Sequence, residues 1–348
     1  MRFSGGMCGL GWTAAAACAA MATMFAPAMM AQQPYQVIDQ WKIGGVGSWD
    51  YLTVDSVAHR LYITHGVKID VVDSETGKML GQIAGLHAVH GLALDDTGKY
   101  GYISDGGANA VVVFDRFSLE IVARVEAGKN PDGIVYEPST RTVWAFNGRS
   151  NSATVIDTAT RAVVATIPLP GKPEFPAVDG QGNVYDNIES KNEIVRLDAH
   201  TYKVTAEWPV GCDSPSGLAM DQAGHRLFSV CDGRKMSVID ANTGQSLALA
   251  PIGEGPDAAA FSPAKNVAFA SCGEGTLMVM DASTPAYAAI ESLNTQQGAR
   301  TMTYDPATDR AYLVTAEFGP APAPTRAHRH PRPTIVPGTF TVIVVGRK

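Results

Sequence analysis

The chain has 348 residues, 45% hydrophobic and 18% charged, with 35 glycines, a composition that excludes a disordered or fibrous protein and suits a turn-rich globular one. Its 27 basic and 34 acidic residues leave a formal net charge of −7, so nothing general points to nucleic acid or an anionic membrane surface, although a local basic patch stays open. The length allows two domains, but an all-β ring can run this long as one.

Residues 1–31 read as a signal peptide. Arg2 is a thin positive start, Cys8 to Phe25 is apolar and Ala-rich, and Ala26-Pro-Ala28 or Met29-Met-Ala31 offers a small-residue cleavage site. Export to the periplasm or beyond is expected. Ala15-Ala-Ala-Cys18 resembles a lipoprotein box but lacks the usual Leu and is followed by more apolar sequence, so lipidation is not expected. No later stretch reaches the ~18 apolar residues needed for a membrane span.

Residues 32–348 form the expected folded domain. Tyr35 to Ile43 reads as a lone strand, and Gly44 to Asp50 as a Gly-rich loop. From Leu52 an apolar-apolar-Asp ending then recurs at Asp73, Asp115, Asp157, Asp198, Asp240 and Asp281, at intervals of 42, 42, 41, 42 and 41 residues. A period in the low forties with about four short strands per unit marks β-propeller blades. Each Asp closes a strand, where its carboxylate can take backbone N–H bonds from the next two residues and start a turn.

Blades are read as starting at Leu52, Gly91, Gly133, near Pro176, at Gly217, near Ala259 and at Thr301. The seventh differs. A Pro-rich insert, 319–338, precedes its last strand, TFTVIVVG, and no fourth strand follows. The orphan strand Tyr35 to Ile43 is expected to supply it, giving an all-β, seven-bladed propeller closed by its N-terminal strand. The insert reads as an extended flap over the rim or a loose tip.

Tyr62-Ile-Thr-His65, Tyr102-Ile-Ser-Asp105 and Tyr312-Leu-Val-Thr315, with V-x-D strands and loops such as Lys129-Asn-Pro-Asp-Gly133, resemble the YVTN-repeat β-propellers, which include YncE-like exported proteins. The resemblance runs over essentially the whole mature chain and implies a binding module. It is specific for fold and weak for function, because propellers carry many functions on one frame. WD-repeat propellers match less well, since Trp49-Asp50 is the one Trp-Asp pair.

In such a blade, the loop before the first strand and the loop after the second open on one rim. That rim collects Trp49, Asp50, His65, His87, His90, Asp105, Asn130, Asp132, Asn147, Arg149, Lys172, Glu174, Glu189, Asp257, Arg300 and Glu317, with Ser216 among the same loops. The opposite rim carries repetitive turns such as DSETGK and DANTGQ. Stability asks every blade for the same turn, whereas a ligand asks different blades for different groups, so the varied rim is the expected binding face for a small molecule or protein. Arg149 and Arg300 suit an anionic or acceptor-rich ligand.

His65, His87 and His90 together would suit zinc, but no helix holds the H-x-x-H pair on one face, so hydrogen-bonded loop histidines and no metal are expected. There is no phosphate-cradling loop, haem attachment, nucleophile elbow or paired CxxC, and no cofactor is expected. Cys212 and Cys231 fall on the varied rim of blade five and are the expected disulfide, with Cys272 free; three reduced thiols are the alternative. Two functions remain. One is an exported, non-enzymatic propeller that binds a ligand or partner on the rim. The other is a propeller-type lactone hydrolase, with or without a metal, using Glu174, Asp257 and His90.

Overall fold

The computed structural model describes residues 33–322 and 333–348. The expected leader, 1–31, and the centre of the insert, 323–332, with His328 and His330, lie outside the described residues. Pro34–Lys348 is one compact unit.

Its strands form seven antiparallel four-stranded sheets, six of them built from consecutive strands. The seventh is assembled from both ends of the chain in the order Gln36–Lys42, Thr341–Gly346, Arg310–Thr315, Thr301–Asp305. The register Gln36↔Gly346 to Lys42↔Thr341 is the closure expected from the missing fourth strand. First strands of successive blades touch in an unbroken cycle.

Burial follows the sequence pattern. The third strand of blade two, Ala110–Asp115 (AVVVFD), is buried on both faces except at its final Asp, whereas the outermost strand, Ile121–Glu126 (IVARVE), alternates half-buried and exposed. The core is divided among seven interfaces between adjacent blades. Between blades seven and one, for example, Leu61, Ile63 and Val72 meet Tyr312, Val314, Phe340 and Val342. Trp41 of the closing strand joins them, its ring 5.9 Å from Tyr312. Tyr35, just before that strand, packs edge-on against Phe269 of blade six and donates its hydroxyl to Asp309.

The repeated Asp residues start turns through their side chains, but the donors lie one residue further on than expected. Asp73 accepts N–H bonds from Glu75 and Thr76, Asp115 from Phe117 and Ser118, and Asp240 from Asn242 and Thr243. This is the Asx-turn geometry, in which the next residue's N–H faces away. These bonds, with the Thr76 and Thr160 hydroxyls, hold the carboxyls of Asp73, Asp115 and Asp157 below the ordinary range.

One expectation is corrected. First strands begin earlier than read, at Trp49, Val89, Pro131, Pro173, Asp213 and Pro256. Residues assigned to inter-blade loops, Trp49 and Asp50 among them, therefore lie on strands. Each of these strands is interrupted by a register shift near its start, which breaks the alternation that marks a strand in sequence.

Closure by the N-terminal strand gives a direct test. Deleting Tyr35–Ile43 leaves Thr341–Gly346 as an unpaired edge and uncovers the Trp41 site, so the variant should melt lower or aggregate. An unchanged monomeric melting curve would overturn the stabilising role of the closure.

Candidate functional site

The register shifts build the site. Asp50, His90, Asp132, Glu174, Ser216 and Asp257 each sit in the shifted segment of the first strand of blades one to six, and Arg300 takes the corresponding place just before Thr301 in blade seven. A β-bulge turns a side chain that regular pleating would bury toward a neighbour, here toward the axis. Asp50, Tyr51, Glu174, Phe175, Ser216, Asp257 and Thr301, from blades one, four, five, six and seven, line one small cavity, which brings these blades' first strands together at the axis.

Two backbone devices hold the bulges. Two residues before the ring position, Ala88, Asn130, Ser214, Gly255 and Gly298 have positive φ, turning the chain inward. The second strand of one blade then ties down the bulge of the next. Ser104 donates to the Asp132 carbonyl at 2.5 Å, Asn187 to the Ser216 carbonyl at 2.7 Å, and Ser271 to the Arg300 carbonyl. The ring positions are thus fixed by neighbouring blades as well as by their own.

Around the ring the charges are unequal. His90 Nδ1 lies 2.7 Å from Asp50 Oδ2 and 3.7 Å from Asp132 Oδ1. Burial opposes charge on the imidazole, yet the bond to Asp50 and the charge of Asp132 raise its pKa overall. Burial also raises Asp132, reinforced by Asp50 and Glu174. Lys172 spans Glu174, at 2.9 Å, and Glu189; burial keeps Glu174 raised despite this lysine. Arg300 Nε lies 3.3 Å from Asp257. Behind the ring, Asp186 is fully buried, accepts only the Glu174 N–H at 3.3 Å among its hydrogen bonds to described residues, and has an Oδ2 without a hydrogen-bond partner. Burial pushes its pKa well up.

The sixteen expected rim residues divide sharply. Asp50, His90, Asp132, Glu174, Asp257 and Arg300 form the ring; Asn130, Lys172 and Glu189 support it. His65, Asp105 and Asn147 are buried and occupied within their blades. His65 pairs with Asp70 at 2.7 Å, Asp105 accepts the His87 N–H at 2.7 Å, and Asn147 donates to Ser152 and Thr154. Arg149 and Glu317 are exposed. Trp49 makes tilted ring contacts with Phe340, at 5.1 Å, and with Phe318, at 6.2 Å. The three histidines weighed as a zinc set, for which hydrogen-bonded loop histidines are the expectation, have three different carboxylate partners, Asp70, Asp105 and Asp50. Among the described residues the cluster with metal-ligand spacing is instead Asp50, His90 and Asp132. Tyr51 and Asp186 were missed. Asp186 in NVYDNIES looks like an outward residue of an alternating strand.

A second cleft adjoins Arg300. Phe318 pairs with Ile335 at the neck of the insert, and Ser48, Trp49, Gly298, Arg300, Phe318, Pro333 and Ile335 surround an open space of about 960 Å³. The neck of the insert therefore stands on the ring's rim. In blade five, Cys212 and Cys231 are joined as a disulfide with Cα atoms 5.9 Å apart, and Cys272 is a buried free thiol.

Fold and site together define an all-β seven-bladed propeller with an ionisable ring at one axial mouth. No protein-family model matches the chain. It is similar to the protein named YncE and described as uncharacterized, from Salmonella typhi, at 28% identity over 148 residues, and to the Salmonella typhimurium YncE at 27%. These matches span 40% of this chain and only 42% of the relatives' own length. Among solved structures it resembles Kuenenia stuttgartiensis hydrazine synthase, with TM-score 0.68, 16% identity, and coverage of 77% of this chain and 94% of that one. The WD40 repeats of RRP9 give TM-score 0.74 at 12% identity, covering 90% and 99%. At these identities the structural likeness speaks for fold alone.

Asp186 yields a pH prediction. A carboxyl whose pKa is raised in the folded state costs stability as pH climbs from the ordinary carboxylate range through its folded pKa, because only the unfolded chain ionises there. Asp186→Asn keeps an oxygen for the Glu174 N–H and removes the titration. Its melting temperature should match the parent near pH ~3 and exceed it near pH ~8. A constant difference across that range would show that Asp186 titrates normally.

Proposed function

We propose that the chain is an exported YVTN-type propeller that binds a small, acceptor-rich ligand at the axial mouth ringed by Asp50, His90, Asp132, Glu174, Ser216, Asp257 and Arg300. The carrying observation is that one structural position, repeated seven times, holds five residue types, four of them ionisable. A purely structural position would repeat one solution, as the Asp turns do. Arg300 borders both the ring and the cleft beside Trp49 and Phe318, so it suits a carboxylate or phosphate whose apolar body lies on those rings. Export is supported by the leader pattern of residues 1–31 and by the YVTN resemblance.

A hydrolase that opens a cyclic ester is the alternative. It is favoured by the raised carboxyls of Asp132 and Glu174, which would serve as general bases nearer neutral pH than ordinary acids.

The test is a thermal-shift screen of organic carboxylates and phosphates, run beside a lactone panel. For any ligand found, Arg149→Ala with Arg300→Ala should weaken binding about tenfold or more, while Lys78→Ala with Lys203→Ala in far-rim turns should change it little. Equal losses in both pairs would place the function elsewhere. Lactone turnover abolished by Glu174→Gln would decide for the hydrolase.

A further inference from the structure

We propose that Asp50, His90 and Asp132 bind one first-row divalent cation of the Mn²⁺ to Zn²⁺ group. This rests on reading the rim as the ligand face, and it supplies the chemistry by which an acidic ring could hold an acidic ligand.

The three donors come from equivalent bulges of three successive blades, and their ligand atoms all lie within 4.8 Å of one another. Donors around one ion at metal–ligand bonds near 2.1 Å stand about 3.0–3.4 Å apart. His90 Nδ1 is 2.7 Å from Asp50 and 3.7 Å from Asp132, distances that straddle this spacing. Small side-chain adjustments would bring all three onto a cation.

Independent support comes from the outer face of the imidazole. The Asn130 side chain also hydrogen-bonds this ring. Nδ1 faces Asp50, and His90 Nε2 and Asn130 Oδ1 both stand over Gly106, at 2.7 and 3.1 Å from where a Cβ would lie. Asn130 can therefore accept the Nε2–H and leave the Nδ1 lone pair directed at the two carboxylates, the arrangement usual for a metal-bound histidine. Asn130 adopts φ 54°, a left-handed conformation, while making this contact. Asp186 adds a fully buried oxygen without a hydrogen-bond partner behind Glu174.

Charge points the same way. A lone imidazolium needs one carboxylate; this one has two at close range, with Glu174 and Asp257 further round the ring. Such a mouth repels an anion. A divalent ion would reverse the local sign beside the small cavity that Asp50 lines together with Glu174 and Asp257. The imidazole makes Ca²⁺ or Mg²⁺ a poorer fit than Mn²⁺ or Zn²⁺.

Calorimetric titration of chelator-treated mature protein with MnCl₂ or ZnSO₄, without organic ligand, reads the site directly. One saturable ion per chain is expected. Asp132→Asn and His90→Gln should each weaken it at least about 100-fold and Asn130→Ala about 10-fold, while His87→Gln should leave it unchanged. Melting curves with and without ion serve as a second reading should a variant be unstable, since a bound ion raises the melting temperature only where the site survives. No saturable binding in the parent, or binding indifferent to His90→Gln and Asp132→Asn, overturns the inference. Arg300-dependent ligand binding without metal would sink the cation and spare the rim; metal binding with a ligand indifferent to Arg300 would do the reverse.

Discussion

Each blade has two apolar faces, and the blades on either side are what cover them. This constraint governs the molecule. A sheet stack ending anywhere would expose a row of buried-type residues such as Leu61, Ile63 and Val72, so the stack bends into a cycle in which the last face meets the first. The seventh blade must then carry a full set of strands, and the chain supplies the missing one from Gln36–Lys42. Because the core is divided among seven interfaces, substituting a buried residue such as Phe228, between blades five and six, is felt first at that interface.

A ring of near-equal blades has one place where they all converge, and the structure exploits it with a single repeated irregularity. The bulge near the start of the first strand in blades one to six re-aims one side chain at the axis without disturbing the covered faces, and Arg300 takes the same place just before the first strand of blade seven. Ser104, Asn187 and Ser271 then clamp the bulge of the neighbouring blade through its carbonyl. The ring side chains can thus change without cost to the sheets, while their positions stay fixed, a combination that suits a site whose chemistry is set residue by residue.

Much of this was legible in the chain. The V-x-D endings betrayed the period because each Asp performs the same local turn, and a local job leaves the same mark every time. The closing strand could be read because blade seven was one strand short. The ring residues read as rim groups, but the bulge and its positive-φ residue interrupt the alternation that signals a strand, so their sequence context looks like loop. Ser216 drew less notice because it carries no charge. What could not be read was depth. His65, Asp105 and Asn147 end their strands at the same rim as the ring, and nothing in their spacing reveals that they turn inward. For His65 the cover is a loop with glycines at positions 45 and 47, where any side chain on Gly45 would come within 3.0 Å of the imidazole. The cation cluster is hidden for a related reason: Asp50 lies 40 residues before His90 and Asp132 lies 42 after it, joined by the ring's geometry alone.

The seventh sheet also imposes an order in time. Thr341–Gly346 lies between Gln36–Lys42 and Arg310–Thr315, so the strand nearest the start of the folded domain has no partner until the strand nearest its end has arrived. Six blades can form as the chain appears, each from contiguous sequence. The clasp cannot. Until those last residues emerge, the molecule is an open arc with an unsatisfied strand at one end and an uncovered face at the other, and the axial mouth, whose groups come from every blade, does not yet exist. Completion of the fold and assembly of the site are therefore one event, set by the final strand.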